Sequence, residues 1–239
     1  SGAVADRPSR LVSPAEPIEL LEPPARFVSR GGEKLAGALE RFALDLHGAR
    51  ALDVGASTGG FTDCLLQAGA VSVAAVDVGR GQLHQRLRHD ERVDLHEGVD
   101  VREVTVDLIG GSPVDLVTAD LSFISLRLAV PALTGGVAVP GAPLVLLVKP
   151  QFEAGRAEAS RGKGVIRDPA VHRRTLSEVA GTLDAAGAAI MGAMPSPLTG
   201  QAGNVEFFLL ARTPTGEGGT PIASYESMVD AAVAEAHDR

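Results

Sequence analysis

Residues 51–60 read ALDVGASTGG, and this stretch decides the fold. An apolar run reaches Asp53, turns at Gly55 and gives way to small residues. A first strand that ends on a glycine turn opens a doubly wound α/β sheet, whose ligand sits outside the carboxyl ends of the strands. The turn is not a dinucleotide fingerprint. Gly55-Ala56-Ser57-Thr58-Gly59-Gly60 lacks the second glycine of G-x-G-x-x-G, and the Gly-Lys-Ser/Thr of a P-loop is absent. Asp53 adds a physical objection, because a carboxylate beside the turn repels a pyrophosphate. It suits a ligand that carries a cation there, and S-adenosylmethionine has both an ammonium and a sulfonium. A carboxylate at an apolar strand end is costly unless it has partners.

Outward from this turn the chain alternates. Strand-like runs end at Val54, Asp77, His96, Ala119, Val148 and about Met194, and a last one covers Val205–Ala211. Helical patterns fall at 29–42, Phe61–Gln67, Leu83–Arg88, Phe123–Leu133, Ala170–Ala186 and 224–237. Apolar strands alternating with helices imply an α/β fold with a mainly parallel sheet, covered on both faces. The last two strands are joined without a helix, so one edge strand is expected to be antiparallel. Asp77 ends the second strand, where an acid accepts from both ribose hydroxyls, and Asp100 follows the third, where an adenine amino group is met. The plain alternative for Asp77 and Asp100 is loop capping.

Bulk properties narrow the class. At 239 residues the chain is long enough for one substantial domain with tails, and 45% apolar residues allow a full core. Residues 128–148 carry no charge, but three prolines and three glycines interrupt them, so they read as loop plus buried strand rather than a membrane span. A lone cysteine, Cys64, and a polar, proline-rich start fit a reducing cytoplasm. The net charge of −8 argues mildly against nucleic acid. The distribution softens that: residues 149–174 hold seven Lys and Arg against three Asp and Glu, and residues 214–239 hold one against five. His84, His89, His96 and His172 share no metal-like spacing with cysteines or acids, and no metal is expected.

The chemistry is read from scarcity and cost. The chain has 19 Arg but only three Lys, namely Lys34, Lys149 and Lys163. Only the lysine amine can lose a proton in a useful range. Lys149 closes the hydrophobic run PLVLLVKP at a strand mouth, and Lys34 lies in the first turn of the first helix. Asp120 ends the fourth strand, and Glu206 sits inside the apolar run GNVEFFLL, where a carboxylate needs a partner. Two lysines and two carboxylates at one sheet mouth make a charge-balanced site.

These residues carry a resemblance. SRGGEKL at 29–35, DVGASTGGFTD at 53–63, DVGRGQL at 77–83, ADLSFISL at 119–126, LVKPQFE at 147–153, GKGVIRDP at 162–169 and GNVEFF at 203–208 are similar to the TlyA (haemolysin A-like) ribosomal RNA methyltransferases, relatives of the FtsJ-type 2′-O-methyltransferases. The resemblance covers roughly residues 26–212 in order. It implies a Rossmann-like, seven-stranded class I methyltransferase sheet, S-adenosyl-L-methionine as donor, and a Lys-Asp-Lys-Glu tetrad on Lys34, Asp120, Lys149 and Glu206. It also implies methylation of cytidine 2′-hydroxyls in ribosomal RNA or ribosomal subunits, with no membrane partner. Donor contacts are expected from Asp53, Gly55, Ser57, Thr58, Gly59, Gly60, Phe61, Asp77 and Asp100. The family begins with an S4-type RNA-binding domain, so residues 1–25 are expected to be its remnant plus a linker. Residues 26–213 are expected to form the methyltransferase domain and residues 214–239 an acidic tail with a helix. Two other readings stay open: a haemolysin-type membrane-active protein, and a donor-binding module inactive without its RNA-binding domain.

Overall fold

The computed structural model of the protein describes residue 13, residues 25–155, residues 158 and 160, and residues 162–215 and 225–238. Apart from residues 13 and 25, the expected linker and domain remnant at 1–25 lies outside the described residues. In chain order the elements are α1 (Arg30–Arg41), β1 (Arg50–Val54), α2 (Gly60–Gln67), β2 (Ser72–Asp77), α3 (Gln85–Arg88), β3 (Val93–Glu97), β4 (Leu116–Ala119) and α4 (Leu126–Thr134). Then come β5 (Pro143–Val148), α5 (Pro150–Glu153), α6 (Pro169–Ala185), β6 (Ala189–Pro195), β7 (Phe207–Arg212) and α7 (Tyr225–His237).

The seven strands form one sheet in the order β3-β2-β1-β4-β5-β7-β6. β1 pairs in parallel with both β2 and β4, so the order reverses at β1 and a crevice opens at its carboxyl end. β7 is the antiparallel strand. It is inserted between β5 and β6, one place in from the edge, and runs against both. The chain reaches it from β6 without a helix, as the sequence implies.

The strands are continuously apolar because both faces are covered. On one face Leu52, Val54, Leu144 and Leu146 pack with α4, α6 and α7. On the other, Ala51, Val145 and Leu147 pack with α1 and α2. The uncharged stretch 128–148 is divided between α4 and β5, with Pro143 at the first strand position, where no ladder hydrogen bond is lost.

Two close approaches position the site. α1 buries Lys34, Leu35, Ala38 and Leu39, a stripe at helical spacing. Its first turn lies against the start of α2 so tightly that a Cβ on Gly60 would sit 2.3 Å from Ser29 Oγ and 2.9 Å from the Gly32 nitrogen. Gly59 caps α2 at φ 96°, a left-handed conformation that glycine adopts without strain.

Candidate active site

The carboxyl ends of β4 and β5 and the start of β7 meet at one edge of the crevice. Val148 faces Phe207 in the β5–β7 register, so Lys149 and Glu206 are the next residues out on adjacent strands. The Asp120 backbone nitrogen bonds the Val54 carbonyl at 2.9 Å, which sets Asp120 just beyond β1. Four charged groups result, in two pairs. Lys34 Nζ lies 2.5 Å from Glu206 Oε2, and both side chains are buried. Lys149 Nζ lies 2.6 Å from Asp120 Oδ1. The second contact is ionic: Asp120 Oδ1 is buried and receives no directed hydrogen bond among the described residues. Lys149 Nζ makes its directed bond to Ser122 Oγ, at 3.0 Å. The Phe152 ring lies 5.9 Å from the same nitrogen, within cation–π range.

A cleft of about 330 Å³ opens beside Asp120. That lies within the range of roughly 300–1,000 Å³ usual for small-molecule sites. Of the nine expected donor contacts, Gly55, Ser57, Asp77 and Asp100 line it. Gly55 must be glycine: its φ is 83°, and a Cβ would stand 2.5 Å from the Asp120 carbonyl oxygen. Asp77 is fixed by two backbone donors, Ser57 N at 2.8 Å and Gly79 N at 2.6 Å, so its carboxylate is presented in one orientation. Asp100 caps the short 3-10 turn Val101–Glu103 and is paired with Arg102 at 2.6 and 2.9 Å. The Arg102 guanidinium holds its carboxyl down at about 2. Loop capping and cleft lining thus coincide at Asp77 and Asp100.

Thr58, Gly59, Gly60 and Phe61 shape the turn without lining the cleft. The Phe61 ring stacks on Phe208, with centroids 6.1 Å apart. Asp53 is the main departure from expectation. It is wholly buried and does not reach the cleft; Val54 does. Successive strand residues face opposite sides, and Asp53 takes the side of α2. Its Oδ2 accepts from Thr62 Oγ1 at 2.6 Å and its Oδ1 from Thr118 Oγ1 at 3.2 Å. Burial pushes its carboxyl up to about 7, against the lowering effect of the threonine hydroxyls. Asp53 therefore joins β1, β4 and α2 beneath the turn through its threonine partners.

The sequence reading passed over Gln82, Ser122 and Phe123. Gln82 lines the cleft and accepts from Ser57 Oγ at 3.2 Å. Phe123 lines the cleft mouth, is 92% exposed and holds φ 67°, a conformation rare for a bulky side chain. Its ring leans on Phe152 at 5.2 Å. The adjoining segment is clamped by Glu153, which accepts from the Leu126 nitrogen at 2.7 Å and from the Ser125 hydroxyl.

Residues 27–213 match a family described as FtsJ-like methyltransferase. The chain is 48% identical over 215 residues to the 16S/23S rRNA (cytidine-2′-O)-methyltransferase TlyA of Mycobacterium tuberculosis, covering 90% of this chain and 79% of that one. Among solved structures, a candidate hemolysin from Streptococcus thermophilus superposes with a TM-score of 0.83 at 39% identity, over 90% of this chain and 75% of the other. An S-adenosylmethionine dependent methyltransferase from Mesorhizobium loti shares the fold, with a TM-score of 0.54 at 18% identity over 74% of this chain and 96% of the other.

Proposed function

Given that the chain belongs to the FtsJ-like methyltransferase family, we propose that it moves a methyl group from S-adenosylmethionine to the ribose 2′-hydroxyl of a cytidine in ribosomal RNA. The observation that carries this reading is the double lysine–carboxylate arrangement beside an adenosine-sized cleft. The chain would act in the cytoplasm on ribosomal RNA or ribosomal subunits.

The cleft fits the donor. Apolar walls from Val78, Val99 and Leu121 suit an adenine ring, Asp77 offers oxygens to ribose hydroxyls, and Gly55 lets the turn pack closely on Asp120 beside the cleft. When bound, the donor supplies an electrophilic methyl on a positively charged sulfur. The protein does the rest. Lys149 takes the proton of the substrate hydroxyl, and Asp120 holds the resulting ammonium in place by charge. The Lys34–Glu206 pair gives the target ribose a hydrogen-bonding partner of each polarity. Phe123 offers a flat apolar face to an unstacked base. Because the donor is already reactive, holding the two groups together supplies much of the rate.

Lys149→Ala tests the assignment. Transfer of labelled methyl to ribosomal RNA should fall by about 100-fold or more, while calorimetric titration finds donor affinity nearly unchanged. Full activity in that variant would sink the role of Lys149. Donor binding without transfer by the wild-type chain would favour the binding-module reading. A relative bears the name hemolysin. However, no helix among the described residues is long and apolar enough to cross a membrane, and the charged site favours methyl transfer. Liposome leakage caused by the pure protein would reverse that preference.

A further inference from the structure

Lys149 has a partner outside the four-residue set. Ser122 lies two residues beyond Asp120, on the exposed segment between β4 and α4, and its Oγ accepts from Lys149 Nζ at 3.0 Å. It also lines the cleft. We propose that Ser122 is a positioning residue that aims the lone pair of the Lys149 amine at the substrate hydroxyl, an inference that rests on the methyl-transfer reading of this site.

The argument begins with what an ion pair leaves undetermined. Charge attraction to Asp120 fixes where the nitrogen sits, but it is weakly directional, and among the described residues Asp120 Oδ1 receives no directed hydrogen bond. The amine is therefore free to turn about its Cε–Nζ bond among staggered positions. A directed bond to Ser122 stops that rotation. With one N–H committed to Ser122 and one direction facing Asp120, a single tetrahedral direction remains for the lone pair. Without Ser122 the lone pair is shared among the staggered directions, and most of the population points away from the hydroxyl.

The partner must also tolerate both states of the lysine. During transfer the hydroxyl oxygen bonds the methyl carbon, the carbon–sulfur bond breaks with its electron pair on sulfur, and the hydroxyl proton passes to Lys149. The amine becomes an ammonium until it returns the proton to solvent. A serine oxygen accepts from either form and keeps its own hydrogen for another partner. The bond to Ser122 is thus made throughout the cycle. Among the described residues, the other charged groups of this site are Asp120 just after β4, paired with Lys149, Glu206 ahead of β7, paired with Lys34 on α1, and Asp53 on β1, which feels the Asp120 charge. None of them is altered when Ser122 is changed, and Ser122 is exposed, so its replacement leaves the core intact.

The test compares the wild-type chain with Ser122→Ala and Ser122→Thr. Competitive acetylation of Lys149, followed by peptide mass spectrometry across a pH series, reads the protonation of this amine without requiring activity. Hydrogen bonds to a charged group are stronger than those to its neutral form. Loss of the acceptor should therefore move the acetylation midpoint to lower pH in Ser122→Ala, and the threonine hydroxyl should restore it. In the same samples, kcat for methyl transfer to ribosomal RNA should fall about tenfold in Ser122→Ala, with near-full recovery in Ser122→Thr. An unmoved midpoint overturns the inference whether or not the enzyme is active. Equal losses in both variants with weakened donor binding overturn it as well, since they would make Ser122 a structural residue. A wild-type chain that transfers no methyl, with a midpoint that moves as expected, counts against the functional reading alone.

Discussion

Asp53 shows what a single buried carboxyl does to the stability of this protein. Folded, it keeps its proton to about pH 7; its ordinary value is 3.8. Between those values the unfolded chain binds fewer protons at this residue than the folded chain. Its contribution therefore makes stability fall as pH rises from about 4 to about 7 and level off above that. Asp53→Asn keeps the size and an oxygen for a threonine hydroxyl but cannot ionise. Urea unfolding of both proteins from pH 4 to 8 should show the wild type losing stability relative to the variant across that window. A constant difference would contradict the buried, threonine-bonded state. The residue type was legible in the sequence, but its direction was not. In a strand buried on both faces there is no polar alternation to say which side a residue takes. Its partners Thr62 and Thr118 lie 9 and 65 residues away. Lys149 and Glu206 were easier to read, because a charged residue at the end of an apolar run announces its own cost.

At the scale of elements, the segment from Asp120 to Ser125 differs most from what its sequence suggests. The pattern of apolar residues extends helix α4 back to Phe123, yet the helix starts at Leu126. Ser125 accepts from the Arg127 nitrogen at 3.2 Å, and Glu153 takes the Leu126 nitrogen, so the first helical donors are satisfied there and the chain ahead is left free to turn. Phe123 is thereby pushed into solvent in a left-handed conformation that costs about 1–3 kcal/mol. We expect this strain to be repaid by stacking on the target base. Stacking on an aromatic side chain is worth about 1–3 kcal/mol per base, so Phe123→Ala should lower kcat/KM for ribosomal RNA by about 10-fold or more, while Phe123→Tyr should stay near wild type. Steady-state assays of the two variants decide it; an alanine variant with wild-type kcat/KM would remove Phe123 from the substrate site. The single turn α5 was also hidden in the sequence, since four residues are too few to show helical spacing.

Across the whole molecule, the alternation of strands and helices and the sheet class were legible from end to end. The insertion of β7 between β5 and β6 was not, because pairing order depends on contacts that no local pattern encodes. The same sheet depends on α7, which packs against β6 and α6 and buries Val229, Ala232 and Val233. A chain ending at residue 224 would lose that apolar contact, worth about 4 kcal/mol, and would uncover the edge strand β6. Its Tm should fall by about 10 °C, and it should aggregate sooner on heating. Titration with donor should still find binding, because α7 contributes nothing to the cleft. Thermal melting and calorimetry of the shortened chain check both halves of this expectation. The cleft is built wholly from residues 54–124, whereas Lys34 finds Glu206 only across 172 positions of chain. During synthesis, then, donor-binding parts exist long before the second lysine–carboxylate pair can close. A nascent chain halted between these points would carry a donor cleft with an incomplete catalytic set. The full catalytic set can close only once Glu206 has been added to the chain.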